Sequence, residues 1–175
     1  MADSKKILMV IAQENFRDEE YLEPRKIFEK NGYEVTVASN STATAIGMKG
    51  EKVKPDITID DANANDYESI VVVGGGGSHK YLWENVKLRS LLKEANKSGK
   101  VVAAICISPV VLAKAGLLKG KNCTVFKDDT CIKALKKNGA MYEDKDVIRD
   151  GRIVTGRDPK AAKKFGETVV EALKE

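Results

Sequence analysis

The sequence predicts an α/β protein with a mostly parallel sheet that is covered by helices on both faces. Two observations support this fold class. Apolar runs alternate with segments of helical periodicity along the whole chain. The main apolar runs are continuous, as in strands that are buried on both faces. A length of 175 residues suits one core, so we expect residues 1–175 to form a single domain.

In the N-terminal half, the apolar run at residues 7–12 predicts a buried strand. Residues 19–31 have helical periodicity and precede Gly32, a residue type that often ends a helix. Residues 34–38 alternate between polar and apolar side chains, which predicts a second strand. The β-branched run at residues 70–73 predicts a third strand, which is buried.

In the middle of the chain, apolar residues recur with helical spacing, which predicts the helix Val86–Lys97. The continuous run Val101–Ile105 predicts another buried strand. A helix at residues 109–115 follows, and we expect Ser108 to cap it, with Pro109 in its first turn.

The remaining residues predict three further features. We expect a short strand at residues 124–126 and a helix at residues 130–137. Residues 147–155 contain an Asp-Gly pair and predict a β-hairpin. Asp158 is expected to cap the last helix, with Pro159 at its start.

Composition excludes several classes of protein. The apolar run at residues 7–12 is too short for a signal peptide or a membrane span, so we expect a cytoplasmic protein without a membrane partner. The formal charge is +4, but lysines alternate with acidic residues, which predicts no nucleic-acid partner. Three cysteines and one histidine match no zinc spacing and no disulfide framework, and we expect neither a metal nor a cofactor.

The segment Ala-Ala-Ile-Cys-Ile-Ser-Pro at residues 103–109 is the most informative motif. A buried strand ends and a helix begins within two or three residues, so small residues are needed on both sides of the apex, as in a nucleophile elbow. The apex is Cys106, whose thiol would face free N–H groups at the helix start, including that of Ile107. Cys106 could instead be a buried packing residue.

Four glycines at residues 74–77 follow the predicted strand at residues 70–73. Glycines allow backbone N–H groups to approach a ligand closely and could form an oxyanion hole. The run lacks the spacing of a dinucleotide-binding loop and the Gly-Lys-Ser/Thr of a phosphate-binding loop. A plain flexible connection is the simpler alternative.

Asp18, Glu19 and Glu20 lie where the first strand leads into the first helix. Acidic residues in a first turn usually interact only with the helix dipole. A carboxyl in contact with Cys106 would differ, because the two groups would share one proton, expected as a neutral carboxyl and an ionised thiol. Such a pair combines a nucleophile with a general acid/base.

Two further residues are candidates with simpler alternatives. His79, the single histidine, could move protons near Cys106, although a loop histidine is more often exposed to solvent. Arg157 could bind an anion or be an ordinary surface residue. Cys123 and Cys131 are expected to be packing residues.

The order of these motifs resembles the ThiJ/PfpI superfamily. The matching segments are Phe-Arg-Asp-Glu-Glu at residues 16–20 with Pro24 downstream, Val-Val-Val-Gly-Gly-Gly-Gly, Ala-Ile-Cys-Ile-Ser-Pro, Ala-Gly-Leu-Leu-Lys-Gly, Asp-Gly and Thr-Gly-Arg-Asp-Pro. The resemblance covers essentially the whole chain and is closest to the short PfpI-like branch. It implies a flavodoxin-like three-layer sandwich in which Cys106 is the nucleophile, Glu20 contacts it, and Gly75 and Gly76 supply backbone donors.

The chain departs from the superfamily at three positions. Peptidase-like members have a histidine after the cysteine, where this chain has Ile107, and an acid from a neighbouring subunit near the position of Lys80. The deglycase branch has a histidine at the position of Phe126. These departures argue against an intracellular cysteine peptidase.

The resemblance implies a cysteine-dependent enzyme that acts on small reactive carbonyl compounds, of glyoxalase or deglycase type. Cys106 would be the nucleophile and Glu20 the proton carrier. The alternative is a non-enzymatic oxidative-stress sensor or chaperone that acts through oxidation of Cys106. The superfamily also implies a homo-oligomer, usually a dimer.

Overall fold

The computed structural model describes residues 5–175 and confirms the α/β fold. The strands are β1 (Lys6–Val10), β2 (Glu14–Phe16), β3 (Glu34–Ser39), β4 (Ala45–Gly47), β5 (Lys52–Val53), β6 (Ile57–Thr58), β7 (Ser69–Val72), β8 (Val101–Ile105), β9 (Asn122–Cys123), β10 (Met141–Tyr142), β11 (Val147–Asp150) and β12 (Ile153–Gly156). The α-helices are α1 (Asp18–Lys30), α2 (Gly77–Tyr81), α3 (Val86–Lys97), α4 (Pro109–Lys114), α5 (Asp129–Lys137) and α6 (Ala162–Leu173).

A seven-stranded sheet with the order β11-β12-β8-β7-β1-β3-β6 forms the centre of the fold. Neighbouring strands pair in parallel, except for the antiparallel hairpin of β11 and β12. The chain moves one way along the sheet from β1 to β3 and the other way from β7 to β8. Right-handed crossovers then place α1 and α3 on opposite faces of the sheet. The point where the direction changes is where open α/β sheets bind ligands.

The core follows from the apolar runs of the sequence. Every residue of β7 and β8 is buried, and so are all residues of β1 except Lys6. Polar side chains in these strands would be costly because helices cover both faces. On α3, the inward-facing residues have the predicted helical spacing, and they are Leu88, Leu91, Leu92 and Ala95.

The structure corrects one predicted strand. Residues 124–126 do not form a strand, and the extended segment in this region is β9, which pairs with β10. Individual hydrogen bonds, rather than a strand ladder, hold this segment, and those of Thr124 involve side chains. The Thr124 amide donates to Thr155 Oγ1 (2.9 Å), and the Thr124 hydroxyl donates to the Lys145 carbonyl (2.8 Å).

The second sheet, of order β2-β4-β5, was not predicted from the sequence. Its strands are only two or three residues long, too short for a recognisable hydrophobic period. This small sheet lies next to α1, because Asp18 accepts hydrogen bonds from the amides of Lys49 and Glu51 (both 2.9 Å). Within residues 5–175, no helix is both long and apolar enough to cross a membrane.

Candidate active site

Cys106 lies at the sharp turn between β8 and α4, as the sequence predicts. Its backbone is in the left-handed region, with a φ of 67°, which is unfavourable for a residue with a side chain. Hydrogen bonds hold this turn on both sides: the Cys106 amide donates to the Gly156 carbonyl (2.9 Å), and the Phe126 amide donates to the Cys106 carbonyl (2.8 Å). The surrounding structure therefore fixes the position of the thiol.

Two buried serines connect the elbow to the loop after β7. The Ser108 hydroxyl donates to the Val73 carbonyl (2.7 Å) and lies 2.7 Å from the Ser78 hydroxyl. Since the single Ser108 proton goes to the carbonyl, Ser78 donates to Ser108. Ser108 occupies the N-cap position of α4, as expected, but its side chain makes no capping hydrogen bond and serves this network instead.

The glycine run is a tightly packed turn that leads into α2, not a flexible connection. A Cβ on Gly74 would lie 2.4 Å from Glu20 Oε1 and 2.5 Å from Cys106 Cβ. Gly75 has a φ of 106°, and a Cβ there would lie 2.3 Å from the Arg17 nitrogen. A Cβ on Gly77 would lie 1.8 Å from the carbonyl oxygen of Glu14. Side chains at these three positions would push the glycine run away from the residues before α1 and from the thiol.

The three acidic residues in the first turn of α1 have different partners. Asp18 binds the amides of the turn between β4 and β5. Glu19 accepts hydrogen bonds from the Arg17 guanidinium (2.9–3.2 Å), which holds the pKa of Glu19 at about 2. Glu20 is fully buried and points towards Cys106. The first turn thus places one carboxyl against the thiol.

Burial controls the electrostatics of the Glu20–Cys106 pair. It raises the pKa of Glu20 to about 8, against smaller opposing effects from the Cys106 thiol and Arg17. It also raises the pKa of Cys106 well above its usual range, and the negative charge of Glu20 adds to this increase. The amides of Gly75 and Ile107 donate towards the sulfur and act in the opposite direction.

A neutral carboxyl beside an ionised thiol was expected from the sequence, and the pKa shifts of Glu20 and Cys106 agree with only the first half of this expectation. Glu20 is neutral at neutral pH, as expected from a carboxyl in contact with a thiol. The pKa of Cys106 is raised rather than lowered, because burial outweighs the N–H groups at the start of α4. Neither oxygen of Glu20 makes a hydrogen bond of good geometry within residues 5–175. The carboxyl lies near both the Cys106 thiol and the Gly74 amide, which lower its pKa slightly.

The thiol opens into a cavity of about 240 Å³. The residues that line it are Arg17, Met48, Gly75, Gly76, Cys106, Ile107, Phe126 and Pro159. Apart from Arg17, its side chains are apolar or the thiol itself. A cavity of this size beside a nucleophile suits a small molecule rather than a folded polypeptide chain.

Comparison with known proteins agrees with this geometry. Residues 5–172 match the model of the DJ-1/PfpI family. The chain belongs to this family. An uncharacterized protein of Methanocaldococcus jannaschii is 51% identical over 96% of this chain and 82% of its own length. The crystal structure of a ThiJ/PfpI domain protein from Brachyspira murdochii superposes with a TM-score of 0.93 at 32% identity, over 99% of this chain and 98% of the other.

Relatives within the DJ-1/PfpI family carry names of different activities. Deglycase PfpI of Pyrococcus furiosus is 32% identical over 88% of this chain and 90% of its own length. A glutathione-independent glyoxalase of Caenorhabditis elegans is 29% identical over 99% and 91% of the two chains. YraA of Bacillus subtilis, whose name refers to a cysteine protease, is 34% identical over 98% and 99%. Membership of the DJ-1/PfpI family therefore does not by itself assign an activity.

The structure places two other candidate residues away from the thiol. His79 is exposed on α2, with its ring centre 4.2 Å from that of Trp83, and it does not line the Cys106 cavity. The guanidinium of Arg157 is paired with Asp158 (3.0 Å) and Asp144 (3.2 Å). Neither residue is positioned to touch a molecule bound to Cys106.

Among the proposed backbone donors, Gly75 and Ile107 face the sulfur, whereas the Gly76 amide donates to Met48 Sδ (3.5 Å). No sequence pattern selects Met48 or Arg17 as a cavity residue. The β2-β4-β5 sheet next to Met48 has no sequence signal. Arg17 belongs to a segment that the superfamily resemblance includes, but the resemblance assigns a role there only to Glu20. Knowing that the residues before α1 pack on the glycine run would have identified Arg17.

Proposed function

We propose that this protein is a cysteine-dependent enzyme that converts small 2-oxoaldehydes to 2-hydroxy acids without glutathione. The observation that carries the proposal is the contact between Cys106 and Glu20 beside a cavity of about 240 Å³. This conversion is an isomerisation with addition of water. It needs a nucleophile that attacks the aldehyde carbon and a proton carrier that reaches the same carbon. The deglycase and glyoxalase names of relatives support the same class of substrate.

The reaction can be written with balanced atoms. Cys106 adds to the aldehyde carbon, and its proton passes to the aldehyde oxygen to give a hemithioacetal. Glu20, as carboxylate, removes the proton on that carbon and returns a proton to the neighbouring carbon, which yields a thioester of the 2-hydroxy acid. Water then hydrolyses the thioester and releases the acid and the thiol. No electron acceptor is consumed.

The Gly75 and Ile107 amides can stabilise negative charge that develops beside the sulfur. Because Glu20 must be ionised to accept a proton and burial holds its pKa at about 8, the rate should increase as the pH rises through about 8. Glu20→Gln should remove this rise and lower kcat at least about 100-fold.

The direct test incubates the protein with methylglyoxal and measures lactate. We expect lactate from the native protein and none above background from Cys106→Ser. His79→Ala is a matched control, because its side chain is exposed and outside the cavity, and it should keep the native rate. Lactate formation that survives Cys106→Ser would contradict the proposal.

Oxidation sensing at the same thiol is the second candidate function. The buried carboxyl of Glu20 and the amides of Gly75 and Ile107 could hold the oxygens of a sulfinic acid that peroxide forms at Cys106. Peroxide-dependent gain of two oxygens at Cys106, without any lactate formation from methylglyoxal, would favour this role. We do not propose peptidase activity, because Ile107 occupies the position of the histidine of peptidase-like members.

A further inference from the structure

Arg17 borders two neighbouring spaces. Its side chain lines the cavity at Cys106 and also a larger outer groove of about 590 Å³. Phe126 and Pro159 line both spaces as well. Arg17 is therefore placed to contact a molecule in either space.

The Arg17 guanidinium is held in place on one edge. Its Nε and Nη2 atoms donate to the Glu19 carboxylate at 2.9–3.2 Å. The same carboxylate also forms an ion pair with Lys49 Nζ, at 3.4 Å. Two cations thus share the Glu19 carboxylate, so the charge of Arg17 is only partly neutralised by its partner. Within residues 5–175, Arg17 Nη1 has no hydrogen-bond acceptor, so this edge is free to bind an anion.

In the described part of the chain, the rest of the inner cavity offers an anion no second charged side chain. Its side chains other than Arg17 and the Cys106 thiol are apolar, and Arg17 is the one cation among the residues of the described chain that line it. The charge of Arg17 also acts on the buried pair of Glu20 and Cys106. It lowers the pKa of Glu20, and a negative charge on Cys106 raises the pKa of Arg17. Glu20 is neutral at neutral pH and does not repel a bound carboxylate.

We infer that Arg17 is a specificity-determining residue that binds the carboxylate of an anionic carbonyl substrate while Cys106 attacks its aldehyde carbon. This inference rests on the proposed carbonyl chemistry and adds a preference to it: aldehydes that also carry a carboxylate should bind more tightly than neutral ones such as methylglyoxal. In the first step a bond forms between sulfur and the aldehyde carbon, and the π bond of the carbonyl breaks. The thiol proton moves to the carbonyl oxygen, so no oxidant or reductant is needed.

Glyoxylate and its methyl ester form a matched pair of probes, because they share the aldehyde and differ in charge. Each adds reversibly to a thiol, so each should protect Cys106 from alkylation by iodoacetamide. We expect glyoxylate to protect the native protein at an approximately tenfold lower concentration than the ester, once each concentration is scaled by the affinity of that probe for a small free thiol, as one charge-assisted contact predicts. Arg17→Gln should reduce this ratio to about one, and Arg17→Lys should keep part of it.

The ratio of the two probes is measured within each variant, so a changed thiol reactivity cancels. Lys160→Gln is the control, because Lys160 lines the outer groove but not the inner cavity and should leave the ratio unchanged. A native protein that does not distinguish acid from ester, or a preference that survives Arg17→Gln, would overturn the inference while leaving the proposed function intact. Failure of both probes to protect Cys106 would overturn the carbonyl chemistry as well.

Discussion

At the scale of single residues, the site depends on a carboxyl that is buried without a full set of hydrogen-bond partners. Water would stabilise the charged form of Glu20, and the protein excludes it, so the proton is retained to a pKa of about 8. The pKa of Glu19 differs because its partner differs: the Arg17 guanidinium keeps Glu19 ionised. Three adjacent acids therefore have three separate roles.

The raised pKa of Glu20 predicts a pH-dependent stability. The folded state keeps the proton up to about pH 8, whereas the unfolded chain releases it near the ordinary value of 4.5. Between these pH values the folded state binds the extra proton, so stability is lost as the pH rises, by about 1.4 kcal/mol per pH unit. Urea unfolding of the native protein relative to Glu20→Gln should show this slope. Parallel pH profiles of the two proteins would contradict it.

At the scale of elements, the site is formed where three chain segments leave the same edge of the sheet. The residues after β1 supply Glu20, those after β7 supply the Gly75 amide, and the turn after β8 supplies Cys106. The sequence predicts this convergence, because β1, β7 and β8 are continuous apolar runs whose carboxyl ends meet in a parallel sheet. The β2-β4-β5 sheet escapes prediction, since its strands are too short to show a hydrophobic period and the turn between β4 and β5 is held by the carboxyl of Asp18.

Close packing of the glycine run against the residues before α1 predicts a sharp difference between two neighbouring glycines. Gly75→Ala adds a Cβ 2.3 Å from the Arg17 nitrogen at a φ of 106°, so it should destabilise the fold by about 2–4 kcal/mol. Gly76→Ala is the matched control. Gly76 has a φ of −55°, and a methyl group added there would have no heavy atom within 4 Å, so the change should stay within about 0.5 kcal/mol. Equal losses in urea unfolding would refute this packing account.

At the scale of the whole molecule, the sequence motifs were sufficient to predict the fold but not the protonation of the site. The elbow spacing identifies Cys106, whereas the pKa of its thiol depends on how completely α1 and the glycine run exclude water from it. The same limit applies to the cavity wall, where Met48 and Phe126 come from segments without regular sequence patterns. The burial of the thiol depends on segments that are distant in the sequence, and no local motif reports it.

We also propose that the protein forms a homodimer. Three large apolar side chains near the cavity mouth and on the small sheet are exposed, with fractions of 47% for Ile46, 47% for Met48 and 40% for Phe126. Covering such side chains is a common cause of association. Light scattering should give twice the 19.1 kDa mass of one chain, and a mass of 19.1 kDa at micromolar concentration would contradict the proposal.

The central claim is that Cys106 is the reactive thiol of this fold and that Glu20 controls it. Burial raises the pKa of all three thiols, so access to reagent decides between them: Cys123 and Cys131 are 0% and 2% exposed, whereas Cys106 is 7% exposed and opens into the cavity. Iodoacetamide labelling of the folded protein, followed by mass mapping, tests this claim most directly. The unfolded protein, in which the three thiols should react alike, is the reference.

The account predicts that Cys106 is labelled at least about tenfold faster than either other cysteine. Glu20→Gln should shift the pH dependence of that labelling to lower pH, because it removes the negative charge that raises the pKa of Cys106. Labelling of Cys123 or Cys131 as fast as Cys106, or a pH dependence that Glu20→Gln leaves unchanged, would contradict the account.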